Sequence, residues 1–153
     1  MLLWKQPVTD RSENDVKRVF EFLQKGWQSL SESEKNEWNN GLKGSLNTSD
    51  LERVQNNIQL LSDVLELGLN VSLVPEVPTS SFYDEIWQHT EQIRGAYMIH
   101  NTTPEVPERP LNTFEKWNDI EQILSDVYGI LLNNFNYYCG NEIYAGEETG
   151  LLL

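Results

Sequence analysis

The chain has 153 residues, 39% hydrophobic and 23% charged, which fits one domain able to bury a core without disulfides or metals. No apolar run approaches the roughly 20 residues needed to cross a bilayer, and the single cysteine, Cys139, excludes an internal disulfide or a cysteine zinc cluster. The net charge of -13 divides unevenly: eight basic against eleven acidic residues over 1–70, then three against thirteen over 71–153, which leaves no basic stripe for a phosphate backbone.

The opening MLLWKQPVTD has a short apolar tip but no apolar h-region, so synthesis and folding in a cytoplasm are expected, with no membrane association. Ser12, followed three residues later by Asp15, is a variant capping box. Val16, Val19, Phe20, Leu23 and Trp27 then recur at helical spacing and predict the buried stripe of a first helix. Ser31 and Glu34 form a second capping box, opening a short helix that ends by Asn40 and Gly41. Two boxes this close imply a helical corner.

Gly41 and Gly44 supply conformational freedom before Asn47 or Thr48, either of which can cap the next helix, predicted over 49–67. Leu51, Val54, Ile58, Leu61 and Val64 or Leu65 make its apolar stripe, and Gly68 is placed to stop it in a left-handed cap. The polar flank of Asn56, Asn57 and Gln59 is unusual for a buried helix. Asp50 and Arg53, three apart, can pair or tie the preceding loop down.

LNVSLVPEVPTSS reads as an extended, proline-punctuated connector with room for one short strand. Ser81 with Asp84 is expected to cap a helix carrying Ile86, Trp87, Ile93, Ala96 and Tyr97 and running to about His100. That helix would place His89 and His100 on one face but roughly 16 Å apart, too far for one metal ion, so both are read as surface or interface residues. A second stiff connector contains Pro104, Pro107 and Pro110. After it, LNTFEKWNDIEQILSDV (111–127) echoes LNTSDLERVQNNIQLLSDV (46–64) with a two-residue deletion. The echo reflects either convergence on good caps or two pseudo-equivalent helices packed antiparallel.

The tail NNFNYYCGNEIYAGEETGLLL suits a β-hairpin around Gly140-Asn141 or an extended arm. The expected fold is therefore mainly α. A bundle of four to five helices with proline-rich connectors would occupy 1–135, and a C-terminal hairpin or arm of the same domain 136–153. Leu151, Leu152 and Leu153 should be buried or pressed into a neighbour.

Chemistry is sparse. GLKGS lacks the spacing of a phosphate-cradling loop, no calcium loop occurs, and neither histidine sits in a nucleophile triad pattern. Asp84, Glu85 and Glu91, or Glu115, Asp119 and Glu121, offer carboxylate pairs of the kind any acidic helical protein contains. No catalytic residue, cofactor or metal is expected. The five tryptophans, Trp4, Trp27, Trp38, Trp87 and Trp117, are expected to anchor the core, with sugar stacking or an interface as the functional alternative.

Trp38 with the following NNGLKGSLNTSDLERVQNNIQLL, the early PVTDR and the closing YYCGNEIYAGEETG resemble small tail-associated structural proteins of phages and prophages of Gram-positive bacteria. In that group a tryptophan precedes a G-x-x-G-x-L-N-x-x-D-L-x-R-x-x-x-N stretch, and an aromatic, glycine-rich AGE tail closes the domain. Trp38, Gly41, Gly44, Leu46, Asn47, Asp50, Leu51, Arg53, Asn57, Ala145, Gly146 and Glu147 occupy those places here. The resemblance implies a non-enzymatic virion component of the tail tip, baseplate or a fibre, a homo-oligomer that holds other tail subunits. On this reading Trp4, Tyr137, Tyr138, Ile143, Tyr144 and Leu151, Leu152 and Leu153 form interfaces, and Trp38 to Asn57 is scaffold. A carbohydrate-binding host-attachment module is the alternative, and a hydrolase with dispersed carboxylates a third class.

Overall fold

The computed structural model describes the backbone of residues 2–145 and the side chains of residues 2–135. It is mainly helical: α1 is Glu13–Lys25, α2 Glu32–Asn40, α3 Thr48–Val64, α4 Ser80–Ala96 and α5 Phe114–Ala145, with a 3-10 turn at Trp27–Ser29. No strand forms among the described residues. Both predicted capping boxes are present, at Ser12 with Asp15 and at Ser31 with Glu34. The α4 cap differs from expectation. Thr79, not Ser81, accepts the Phe82 N–H at 3.4 Å, and the helix stops at Ala96, so His100 falls in a turn off the helix.

The three long helices all run the same way. Arg53 on α3 meets Glu121 on α5, while at the other end Leu60 and Leu61 share a groove with Tyr128 and Leu131. Likewise Tyr83, early in α4, meets Trp117 edge-on at 6.0 Å, and Tyr97, at its end, accepts a hydrogen bond from Asn134 of α5. The two helices that carry the sequence echo therefore pack parallel, not antiparallel. Leu61 and Leu124 of the echo are both buried, but Val127 is buried where its counterpart Val64 is exposed.

Parallel neighbours demand long return paths. A 17-residue helix is about 25 Å long, and the segments 65–79 and 97–113, if extended, reach about 50 Å, ample to come back to the starting end. Each runs back beside the helix it leaves. Leu69 donates to Ser62 and Ser72 accepts from Gln55, stepping backwards along α3. Pro104 accepts from Arg94 and Pro107 from Trp87, stepping backwards along α4. Residues 3–11 form a third such segment, which stacks Trp4 on Tyr128 at 4.0 Å and places Arg11 beside Asn118.

Extended backbone without a sheet partner must find its hydrogen bonds elsewhere. Here helix side chains supply them. The Asn57 amide accepts from Lys5 N–H at 3.0 Å and donates to Lys5 C=O at 2.8 Å, and Asn118 does the same to Arg11 at 3.1 and 2.9 Å. Asn56 donates to Leu3, and Glu85 accepts from Ser72. That accounts for most of the polar flank of α3 left unexplained by its sequence. The opposite flank of the helix, Leu51, Val54, Ile58 and Leu61, is buried against Ile86, Ile93, Trp117, Ile120, Leu124 and Val127, as its spacing predicts, with Leu65 taking the last place.

Between the first extended segment and α3, the corner of α1 and α2 closes over a small separate cluster of Phe22, Leu30 and Leu42, with Val19 against it. The predicted α1 stripe is not the buried one: Phe20 and Leu23 are each 58% exposed and Trp27 49%. The short α2 covers one side of α1 only, and that side is centred on Phe22. Lys25 and Glu34 tie the two helices at 2.9 Å, and the Lys25 hydrogen bond holds Glu34 down to about 2.

Helix α5 is described across the 135/136 boundary and through Gly140-Asn141 as far as Ala145, so no strand of the expected hairpin appears among the described residues. Gly140 is the last glycine before that end and no proline follows Pro110, so nothing obliges the helix to break. The rest of the expected arm, with Leu151, Leu152 and Leu153, lies outside the described residues.

Removing the Asn57 amide tests the side-chain support of extended backbone. Asn57→Ala strands both polar groups of Lys5 and is expected to lower unfolding free energy by about 1–3 kcal/mol, whereas Gln59→Ala, at a half-buried residue bonded to Asp63 of its own helix, should cost under about 0.5 kcal/mol. Urea titration of both variants checks this; equal midpoints would contradict it.

Candidate functional site

Two of the motif residues, Asp50 and Arg53, meet Arg11 and Glu121 at the end of the bundle where α3 and α5 begin. Glu121, 1% exposed, receives Arg53 at 2.6 and 2.8 Å and Arg11 at 2.7 Å. Arg53 also reaches Asp50 at 2.8 Å, and Arg11 lies 3.6 Å from the same carboxylate. Two guanidinium groups and two carboxylates thus form a neutral, nearly closed cluster. Burial works against the charge on Arg53, but Glu121 and Asp50 more than offset it and hold the group protonated well above its ordinary value. Both oxygens of Glu121 are occupied by guanidinium groups, and the Val8 N–H, from a third residue, adds another donor at 3.3 Å. Such a carboxylate has no lone pair directed at a substrate; it clamps the first extended segment, α3 and α5 together.

The expected Asp50–Arg53 pair is part of this clamp. Arg11 and Glu121, which complete it, were beyond sequence reasoning, since they are separated by over a hundred residues and share no motif.

Around the clamp, Asp50 accepts from the backbone N–H of Asn47 at 2.8 Å, closing the start of α3. The Asn47 side-chain amide donates to the same Asp50 oxygen at 3.1 Å and to the Leu42 and Ser45 carbonyls at 3.0 and 3.1 Å, fixing the approach loop against the start of α3. Gly41 sits at φ 90, a backbone conformation that side chains disfavour. Gly44 is required for a different reason: a Cβ there would run into the Asp15 and Val16 backbone at the start of α1. Trp38 is partly exposed and lies 6.2 Å from the Phe22 ring. Segment 41–64 is therefore built as a scaffold for α1 and α3.

Of the residues expected at interfaces, Trp4 is partly buried against Tyr128, and the side chains of Tyr137, Tyr138, Ile143 and Tyr144 lie outside those described. Among the tryptophans only Trp117 is buried, donating to Leu111 C=O at 3.0 Å; Trp27 and Trp38 are exposed.

The carboxylates singled out as acid–base candidates are dispersed. Glu121 belongs to the clamp, Asp84 lies 4.0 Å from Arg109, and Glu85 binds the Ser72 hydroxyl at 2.6 Å. Burial would raise Glu85, but hydrogen bonds from Ser72 and Gln55 outweigh it and leave the group below its ordinary range. Asp119 is pushed up by burial and by neighbouring Glu115. Among the described residues no three His, Cys, Asp or Glu side chains are arranged to hold a metal.

His89, expected at the surface or an interface, is buried within the chain, and its Nδ1 has no hydrogen-bond partner. Burial pushes its pKa down, with Glu85 pulling weakly the other way.

Two cavities adjoin the bundle ends. A cleft of about 430 Å³ beside the clamp is lined by Leu46, Leu111, Phe114 and Trp117, with Arg11 at its wall. At the opposite end a groove of about 480 Å³ runs between Leu60, Leu61 and Val64 of α3, Tyr97, and Tyr128, Leu131, Leu132 and Phe135 of α5. Its lining is apolar except for Asn134, and its rim is open: Val64 is 56%, Leu132 43% and Phe135 65% exposed. No helix among the described residues is long and apolar enough to cross a membrane.

No protein family, curated protein or solved structure matches the chain.

Two outcomes follow from this geometry. Asp50→Ala removes the closing contact of α3 and leaves Arg53 and Arg11 one carboxylate short, so the unfolding free energy should fall by about 2–4 kcal/mol and the melting midpoint with it. A variant that melts like wild type would contradict the clamp. His89 has a folded pKa below its unfolded value, so its contribution is present above about pH 6.5 and is lost as pH falls through the folded pKa. Denaturant midpoints should decline from pH 7 to 5, and His89→Gln should flatten that decline; an unchanged slope would refute it.

Proposed function

We propose that the chain is a non-enzymatic assembly module that binds other protein subunits. The observation carrying this reading is the open apolar groove at the far end of the bundle, continuous with a helix that goes on past it. Apolar surface left open in this way, on a chain otherwise strongly acidic, marks a contact surface. The exposed Phe20, Leu23 and Trp27 on the α1 corner supply a second one. Two apolar surfaces on separate parts of the chain suit a subunit held between neighbours.

The setting we assign is a phage tail, at the tip, baseplate or a fibre. That assignment rests on the resemblance of Trp38 to Asn57 and of the closing aromatic, glycine-rich tail. Within it the Asp50–Arg53–Glu121 clamp is scaffold, and the partners are other tail proteins and further copies of the chain. Exposure of Trp27 and Trp38 favours one other reading, a host-attachment module that stacks sugar rings on those indoles.

Mass spectrometry of purified virions, together with the genome neighbourhood of the reading frame, tests the assignment. The chain is expected among stoichiometric tail proteins. Its absence from particles, combined with glycan-array binding that is lost in Trp27→Ala, would replace the assembly reading with the sugar-binding one.

A further inference from the structure

We propose that the groove and the C-terminal part of α5 form a two-fold contact between two copies of this chain. The inference deepens the assembly reading by naming its partner. Helices α3 and α4 end at Val64 and Ala96, beside the groove, and the chain then turns back along each of them. Helix α5 does not end there. It continues to Ala145, about 20 Å beyond Leu132, with neither α3 nor α4 alongside.

The sequence of that continuation is not that of a solvated helix. From Val127 to Asn141 there are fifteen residues without a charge, the longest such run in a chain of net charge -13. A lone helix in water carries charged residues on its exposed faces; one without them is covered. Residues 130–144 include four aromatic and four aliphatic large side chains.

Three features select a second copy as the cover. A basic partner would find no carboxylate along the uncharged run to pair with. Two acidic chains, in contrast, can meet along it without bringing like charges together. A two-fold contact also requires one patch that holds both recess and projection. Here the recess between Leu60, Leu61 and Tyr97 lies next to the projecting Leu132 and Phe135.

Sedimentation equilibrium of the full chain tests this between about 1 and 100 µM. The expected result is a reversible dimer that tightens several-fold as salt rises from about 50 to about 500 mM, because only like-charge repulsion is screened. Phe135→Glu is expected to raise the dissociation constant at least about thirtyfold. Its far-UV spectrum should be unchanged, and its melting midpoint should no longer depend on concentration. Val64→Arg, on the other wall of the groove, should act alike and guards against a folding defect in the first variant. A monomer throughout the range, a trimer, or a dimer indifferent to both variants would overturn the proposal. A monomeric chain that still appears in virions would overturn the pair alone; a dimer missing from virions would overturn the tail assignment and leave the pair standing.

Discussion

The bundle depends on hydrogen bonds from helix side chains to extended backbone that has no sheet to join. Three parallel helices cannot be linked by tight turns, so the chain must travel back the length of the bundle before each new helix begins. Those return paths expose N–H and C=O groups against an apolar core, where leaving each unmet costs about 1–3 kcal/mol. Asn57 and Asn118 answer this with one amide each, offering a donor and an acceptor to a single residue of the passing strand. Gln55, Ser62, Glu85, Trp87 and Arg94 serve the other paths. The helices thus act as rails to which the segments are pinned.

Parallel packing also brings helix N-termini together, an arrangement that aligned dipoles disfavour. The Arg11–Asp50–Arg53–Glu121 cluster lies at that end. Asp50, in the first turn of α3, sits where the N-terminal dipole favours negative charge, and the guanidinium groups neutralise what burial of Glu121 would otherwise penalise. Replacing either acid alone would leave buried cations, which makes the set mutually dependent. The opposite end has no such closure among the described residues. There the lining is apolar, the groove stays open, and α5 runs on, so stability is concentrated at one end and contact surface at the other.

Much of the local structure was legible in the residues. Ser12 with Asp15 and Ser31 with Glu34 cap as expected because donor and acceptor are three residues apart and need nothing else from the fold. The α3 stripe was legible too, since its apolar positions are backed by polar neighbours on every other side. In α1 the same reasoning failed: apolar residues occupy more than one face, and only the short α2 decides that Phe22 is the covered one. Near the C-terminus Gly140-Asn141 resembles a turn, and among the described residues that pair lies within the span of α5.

By itself the sequence determined the helical class, the capping boxes of the first two helices and the acidic charge, all of which follow from interactions within a few residues or from composition. The direction of the helices, the partners of Asn57 and Asn118, the four-member charge cluster and the open groove were decided only by tertiary structure. Each joins residues that are tens to more than a hundred positions apart, as Lys5 is from Asn57 and Arg11 from Glu121. A periodic pattern states that a face will be covered, but the covering surface is chosen by where the returning chain can find partners for its backbone.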